Sequence, residues 1–158
     1  MPLRPDEPLA LGDDGDDWQQ LAGGREHMCA IRAGELYCWG RNVRGQLGDG
    51  TTNDSPTFRR VGTDSDWQSV AAGAWNSCGI RAGQLFCWGD NEYRQIGDGT
   101  SNDASSPVQV SSDSDWASVS ISSSTTCATR VGRLYCWGDP SDGKLGVAPD
   151  APVAVVLD

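Results

Sequence analysis

An all-β fold made of three copies of one unit is predicted by three features: a 49-residue repeat, short strand-like runs between turn residues, and no stretch with helical periodicity. Four columns carry the repeat. Trp18, Trp67 and Trp116 are 49 apart, as are Cys29, Cys78 and Cys127, then Cys38, Cys87 and Cys136, then Trp39, Trp88 and Trp137. Residues 18–66 and 67–115 share 25 identities over 49 ungapped positions, whereas the third copy keeps mainly the skeleton. The chain therefore divides into a lead-in over 1–17 with one Pro-led strand, repeats at 18–66 and 67–115, and a third at 116–158 with a closing Pro-led strand.

In each copy the central hairpin is set by its turn. Ala33-Gly34 lies between two apolar runs, and a two-residue loop there needs positive φ, which glycine supplies without strain. Counting outward pairs Arg32 with Glu35, Ile31 with Leu36, Ala30 with Tyr37 and Cys29 with Cys38. Pair types alternate along an antiparallel ladder, so the two cysteines form a non-hydrogen-bonded pair with Cα atoms about 4.5 to 5.5 Å apart, which suits a disulfide. The same count joins Cys78 to Cys87 around Ala82-Gly83 and Cys127 to Cys136 around Val131-Gly132. Each bridge contributes roughly 2.7 kcal/mol by restricting the unfolded chain, and three together rival the stability of a small domain. Such cystines imply an oxidising compartment, extracellular or periplasmic. Reduced thiols in a cytosolic strand are the alternative. Zinc ligation fits less well, because eight residues separate the cysteines of each pair and the chain has one His.

Alternation along the hairpin puts Cys29, Ile31, Leu36 and Cys38 on one face and Tyr37 and Trp39 on the other. Both faces are apolar, so both require cover. A small four-stranded unit achieves this by stacking radially between neighbours, as a β-propeller blade does. The fourth strand of each blade is expected in the Pro-led segments Pro56 to Val61 and Pro107 to Val110, with further ones at Pro8 to Leu11 and Pro152 to Val155. Proline, which lacks an N–H, is tolerated at a strand start or a sheet edge.

Composition narrows the partners. The 158 residues carry 12 Lys and Arg against 22 Asp and Glu, a net charge of -10. Nucleic acid and anionic membrane surfaces both need a basic footprint, so neither is an expected partner. No run approaches the ~20 apolar residues of a membrane-spanning helix, and the first residues lack the charged start and apolar run of a secretion signal. Hydrophobic residues make up only 37% of the chain, yet seven Trp supply enough area for a thin core.

The order of residues also resembles a known family. Trp67-Gln68-Ser69-Val70-Ala71-Ala72-Gly73 leads to Cys78-Gly79-Ile80-Arg81, then to Gly83-Gln84-Leu85-Phe86-Cys87-Trp88-Gly89-Asp90-Asn91 and Gln95-Ile96-Gly97-Asp98-Gly99-Thr100. Copy one has the same run, ending in the fuller Gly45-Gln46-Leu47-Gly48-Asp49-Gly50-Thr51. This pattern is similar to the repeats of the regulator of chromosome condensation, which form β-propellers, usually of about seven blades. The resemblance covers nearly the whole chain and implies fold more than activity, because the family includes a nucleotide exchange factor, a plant photoreceptor and a bacterial β-lactamase inhibitor. Copy three departs from the pattern: Ser122-Ser123-Ser124-Thr125-Thr126 replaces the glycine-containing approach to Cys127, and Gly146-Val147-Ala148-Pro149 replaces the Gly-Asp-Gly-Thr turn.

Three blades leave two open faces. Each measures roughly 19 by 17 Å, enough apolar surface to call for further blades of a longer parent chain or a second copy that completes the ring. His27 has Asn76 and Thr125 in its column in the later copies. It reads as a surface or loop residue rather than a general base, and no catalytic residue is assigned. No cofactor is expected, with calcium as the one candidate ion. It would use the Asp-rich turns Asp13-Asp14-Gly15-Asp16-Asp17, Asp64-Ser65-Asp66, Asp113-Ser114-Asp115 and Asp49 to Asp54, although none has an EF-hand pattern. Columns that differ between copies are free to meet a partner. Trp75, Tyr93, Arg44, Arg94, Glu26 and Arg41 are such positions, at strand ends and in loops, and several are of the types favoured as interface anchors. The expected function is a non-catalytic protein-interaction scaffold of disulfide-pinned blades, secreted and able to self-associate into a ring. Two alternatives are regulation of nucleotide exchange on a small GTPase, implied by the family, and calcium-dependent extracellular binding.

Overall fold

The computed structural model describes residues 17–146. Repeat one forms an antiparallel sheet of β1 (Trp18–Gly23), β2 (His27–Arg32), β3 (Glu35–Gly40) and β4 (Ser55–Arg60), in that order. Repeat two does the same with β5 (Trp67–Ala72), β6 (Asn76–Arg81), β7 (Gln84–Gly89) and β8 (Ala104–Gln109). Repeat three supplies β9 (Trp116–Ser122), β10 (Thr125–Arg130) and β11 (Arg133–Gly138), then a short 3-10 turn, Ser141–Gly143. The expected strands at Pro8 to Leu11 and Pro152 to Val155 lie outside the described residues. The strand expected at Pro56 is β4, and that expected at Pro107 is β8, which begins earlier, at Ala104, with the proline inside it; both lie at the edges of their sheets, where no further strand needs the missing donor.

The hairpins have the counted register. Ala33 and Gly34 both take left-handed φ (49° and 78°), as do Ala82 and Gly83 (47° and 72°) and Val131 and Gly132 (48° and 73°). This mirror-image turn matches the strand twist and admits one pairing. Arg32 faces Glu35, Ile31 faces Leu36, Ala30 faces Tyr37 and Cys29 faces Cys38, with the equivalents in the other repeats. All three disulfides are formed, Cys29–Cys38, Cys78–Cys87 and Cys127–Cys136, with Cα separations of 4.1, 4.0 and 4.1 Å.

The cystine face of one blade packs on the tryptophan face of the next. Cys29, Ile31, Leu36, Cys38, Leu47 and Val61 meet Trp67, Val70 and Trp88, while Cys78, Ile80, Leu85, Cys87 and Ile96 meet Trp116, Ala128 and Trp137. Polar ties reinforce each junction. The Trp88 indole donates to the Gln46 carbonyl (2.9 Å) and the Trp137 indole to the Gln95 carbonyl (2.9 Å), so the loop of one blade receives the side chain of the next. Strands β1, β5 and β9 approach one another and β4 and β8 lie at outer edges, which is the radial arrangement of propeller blades in an unclosed ring.

The two open ends differ. Trp18 and Trp39 hold the columns of buried Trp67 and Trp88 but have no described blade beside them and are half-buried, with Phe58 and Leu21 exposed nearby. Trp67, Trp88, Trp116 and Trp137, at the blade junctions, are buried, whereas these two are not. The two end faces are not equally apolar, although Leu134 stays exposed beside the Cys127–Cys136 bridge at the far end. At the far end, the cystine face of repeat three carries Ser120 and Thr129 where repeat one has Ala22 and Ile31.

Candidate functional site

On one rim, the tight turns after β1, β5 and β9 alternate with long loops after β3 and β7. Each long loop is built around one buried asparagine. Asn42 donates from Nδ2 to the carbonyls of Thr51 and Asn53 (3.0 Å each) and accepts from the Leu47 N–H (2.9 Å). Asn91 repeats this with Thr100, Asn102 and Ile96 at 3.0, 3.0 and 2.9 Å. With their turns closed from within, these loops are held firm and present fixed side chains on the rim.

Those side chains form a groove of about 430 Å³ that bridges all three repeats. Arg25 and Trp75 come from the first two tight turns, Val43 and Arg44 from the first long loop, Asp90, Glu92 and Tyr93 from the second, and Ser123 and Ser124 from the third turn. Arg44 donates to Asp103 (3.0 Å) and lies 3.8 Å from Asp90 and 3.7 Å from Glu92. The hydrogen bond to Asp103, then the charges of Asp90 and Asp103, hold its guanidinium pKa above the ordinary value. Burial pushes the Asp90 carboxyl upward, opposed by its hydrogen bonds and by Arg44, while Gln95 Nε2 donates to it at 2.8 Å. Arg25 stacks over Trp75, 5.9 Å from the ring centroid. Tyr93 and Val43 remain 49% and 47% exposed. The groove thus combines aromatic and aliphatic surface with a fixed set of charges, a mixture suited to polypeptide side chains.

Of the positions singled out in the sequence, Trp75, Tyr93 and Arg44 line this groove. Glu26 and Arg41 face each other on the same rim at 3.9 Å, and Arg41 also reaches Asp54 at 3.9 Å, outside the lining. Arg94 lines a second groove of about 390 Å³ with Val110, Trp116, Tyr135 and Trp137. Asn42 and Asn91 were not singled out, although both copies keep the residue.

His27 is not a surface residue. It is 3% exposed at the start of β2, with Nε2 2.8 Å from Ser77 Oγ, whose hydroxyl donates to the Gln46 carbonyl (2.9 Å). Burial lowers its pKa to about 4. The pair ties repeat one to repeat two, with Ser77 fully buried. Of the acidic turns, Asp13 to Asp16 lie outside the described residues; Asp64 and Asp66 hold Arg81 at 2.7 Å each, and Asp113 and Asp115 hold Arg130 at 2.6 and 2.7 Å. The Asp49 carboxylate accepts from the Thr51 N–H and hydroxyl at 2.9 and 2.7 Å. Among the described residues, no group of three or more His, Cys, Asp or Glu is gathered as a metal site would require.

The sequence profile of the regulator of chromosome condensation (RCC1) repeat matches residues 33–80 and 82–129, and a second profile of the same repeat matches 18–46 and 67–95. The chain belongs to this family. Solved structures share the fold of this RCC1-repeat chain. Human WBSCR16 superposes with a TM-score of 0.82 at 22% identity over 94% of this chain and 40% of its own. Prp20p from Saccharomyces cerevisiae, described with binding properties to Gsp1p and histones, gives 0.75 at 21% identity over 90% of this chain and 38% of its own. Yeast RCC1 (Prp20) solved bound to Kap60 gives 0.74 at 21% identity over 87% and 37%. The RCC1-repeat chain thus spans about 40% of the length of the structures it matches. No curated protein sequence gives a significant match.

Proposed function

We propose that the chain is a non-catalytic interaction scaffold whose rim groove holds a polypeptide partner. The carrying observation is the convergence of Trp75, Tyr93 and Arg44, from columns that differ between otherwise alike repeats, on one groove. Aromatic and arginine side chains held by rigid loops are the usual anchors of such contacts. The net charge of -10 favours a basic partner, and three cystines favour an oxidising compartment outside the cytosol. Because Arg81 and Arg130 occupy the Asp64–Asp66 and Asp113–Asp115 turns, calcium-dependent binding is the less favoured reading.

The test is selection of peptides from a random library on the immobilised chain. The selected peptides are expected to bind Trp75→Ala and Tyr93→Ala at least about tenfold more weakly, with Leu21→Ser unchanged. Full binding by both aromatic variants removes the groove from the proposal. Binding of Gsp1p by the yeast relative supports a second reading, regulation of nucleotide exchange on a small GTPase. Acceleration of nucleotide release by the chain, lost in the same two variants, would replace the first reading with this one.

A further inference from the structure

The rim groove is polarised along its length. At the end made by the long loops, three carboxylates surround one guanidinium. Arg44 donates to Asp103 at 3.0 Å and stands off from Asp90 and Glu92 at 3.8 and 3.7 Å, beyond hydrogen-bond length. One positive charge against three negative ones leaves this end acidic, and Asp90 is only 4% exposed, so water screens it poorly. Glu92 projects outward, with 64% of its side chain exposed. A cation arriving beside Glu92 meets an attraction that Arg44 does not cancel.

The end made by the tight turns has the opposite sign. Arg25 lies over Trp75, 5.9 Å from the ring centroid, and its backbone N–H is tied to the Gly73 carbonyl at 3.2 Å. Its neighbour Glu26 turns instead to Arg41, and among the described residues no carboxylate pairs with Arg25. A guanidinium stacked on an indole keeps N–H groups for a carboxylate, which it meets with two parallel bonds. Arg25, Ala74 and Ser123 also line an adjoining groove of about 340 Å³ with Gly23, Gly24 and Gly73. The trough therefore continues across the tight turns, a shape suited to an extended chain rather than to a single side chain.

Neither charge serves the repeat itself. Ala74 and Ser123 hold the column of Arg25, and Val43 and Ser141 hold that of Glu92. The backbone tie of the turn forms without the arginine, since the Ala74 N–H donates to the Ser123 carbonyl at 2.9 Å.

We infer that the groove selects its peptide by charge order: an extended segment that sets a Lys or Arg side chain beside Glu92 and an Asp or Glu carboxylate beside Arg25, at a fixed spacing. The inference rests on the reading of the groove as a polypeptide site and adds which sequences that site takes. A uniformly basic segment, which the net charge of -10 alone would attract, is rejected because it places a like charge beside Arg25.

The test reads the sequences of bound peptides. A random peptide library is selected in parallel on immobilised wild type, Glu92→Lys and Arg25→Glu, both exposed positions. The wild-type pool is expected to be enriched in peptides with one basic and one acidic residue at a constant separation. The Glu92→Lys pool is expected to lose only the basic preference, and the Arg25→Glu pool only the acidic one. In a synthetic peptide from the wild-type pool, replacing the basic residue with glutamine is expected to weaken binding about tenfold on wild type and not on Glu92→Lys. Peptides that need Trp75 and Tyr93 but show no charge order, or only like charges, overturn this inference and leave the polypeptide reading standing. Peptides that bind Trp75→Ala and Tyr93→Ala undiminished, or a selection that yields none, overturn both. Substitutions made in the peptide need no variant of the protein, so wild type alone decides if a variant does not fold.

Discussion

The imidazole of His27 is packed between repeats one and two, where burial holds its pKa at about 4 against 6.5 in an open chain. A value lowered by folding means that the unfolded chain binds more protons between these limits. The associated stability is therefore complete above pH 6.5 and is lost as the pH falls towards 4. At about 1.4 kcal/mol per unit the full loss is about 3 kcal/mol. His27→Asn, which copies Asn76 of repeat two, removes this titration. Urea unfolding at neutral pH and near pH 4.5 is expected to show wild type losing about 2 kcal/mol more than the variant; equal losses would mean the ring is hydrated in the folded state. Arg94 stores strain of another kind. Its φ is 61°, in a column where Gly45 and Gly143 take 81° and 69°. Left-handed backbone is unfavourable for a side chain with a Cβ, so Arg94→Gly is expected to stabilise the fold by up to about 1 kcal/mol in thermal unfolding. A drop in stability would show that the contacts of Arg94 in the second groove outweigh the strain.

Among the elements, the long loops do most to join the blades, and two glycines separate the reasons. Gly97 and Gly99 have nearly the same φ, 80° and 83°, but an added Cβ meets the Trp137 ring at 2.6 Å in the first case and nothing within 4 Å in the second. Gly99→Ala is expected to cost about 1 kcal/mol for backbone strain, and Gly97→Ala a further 1 to 3 kcal/mol for displacing the indole, roughly, as read by urea midpoints. Equal costs would mean that Trp137 moves aside freely. This closeness explains what was legible beforehand. A two-residue turn admits one register, so the Cys29–Cys38 pairing could be counted, and proline marks Pro56 and Pro107 as belonging to edge strands. Asn42 and Asn91 were hidden because a buried asparagine and a solvated turn asparagine look alike within a Gly-rich run. Trp75, Tyr93 and Arg44 could be selected by comparing repeats, but their meeting depends on loops of neighbouring blades sharing a rim. The same comparison chose Arg94, whose side chain the fold sends to another groove.

For the whole molecule, stability is a matter of neighbours. Each blade buries its apolar faces only against another blade, so repeat two, covered on both sides, carries the most protected strands: every residue of β6 except Arg81 is buried, and the cystine end of β7 is closed as well. By contrast β1 and β4 are mostly exposed, and β9 shows polar side chains along its outer face. In stacked repeats, opening free energies follow the number of covered interfaces rather than local sequence. Native-state amide exchange is therefore expected to be slowest in β6 and β7 and faster in β2, β3, β10 and β11, whose repeats each have one described blade junction. Uniform protection across all three repeats would mean that the blades unfold as one cooperative unit and that nearest-neighbour burial does not govern this molecule.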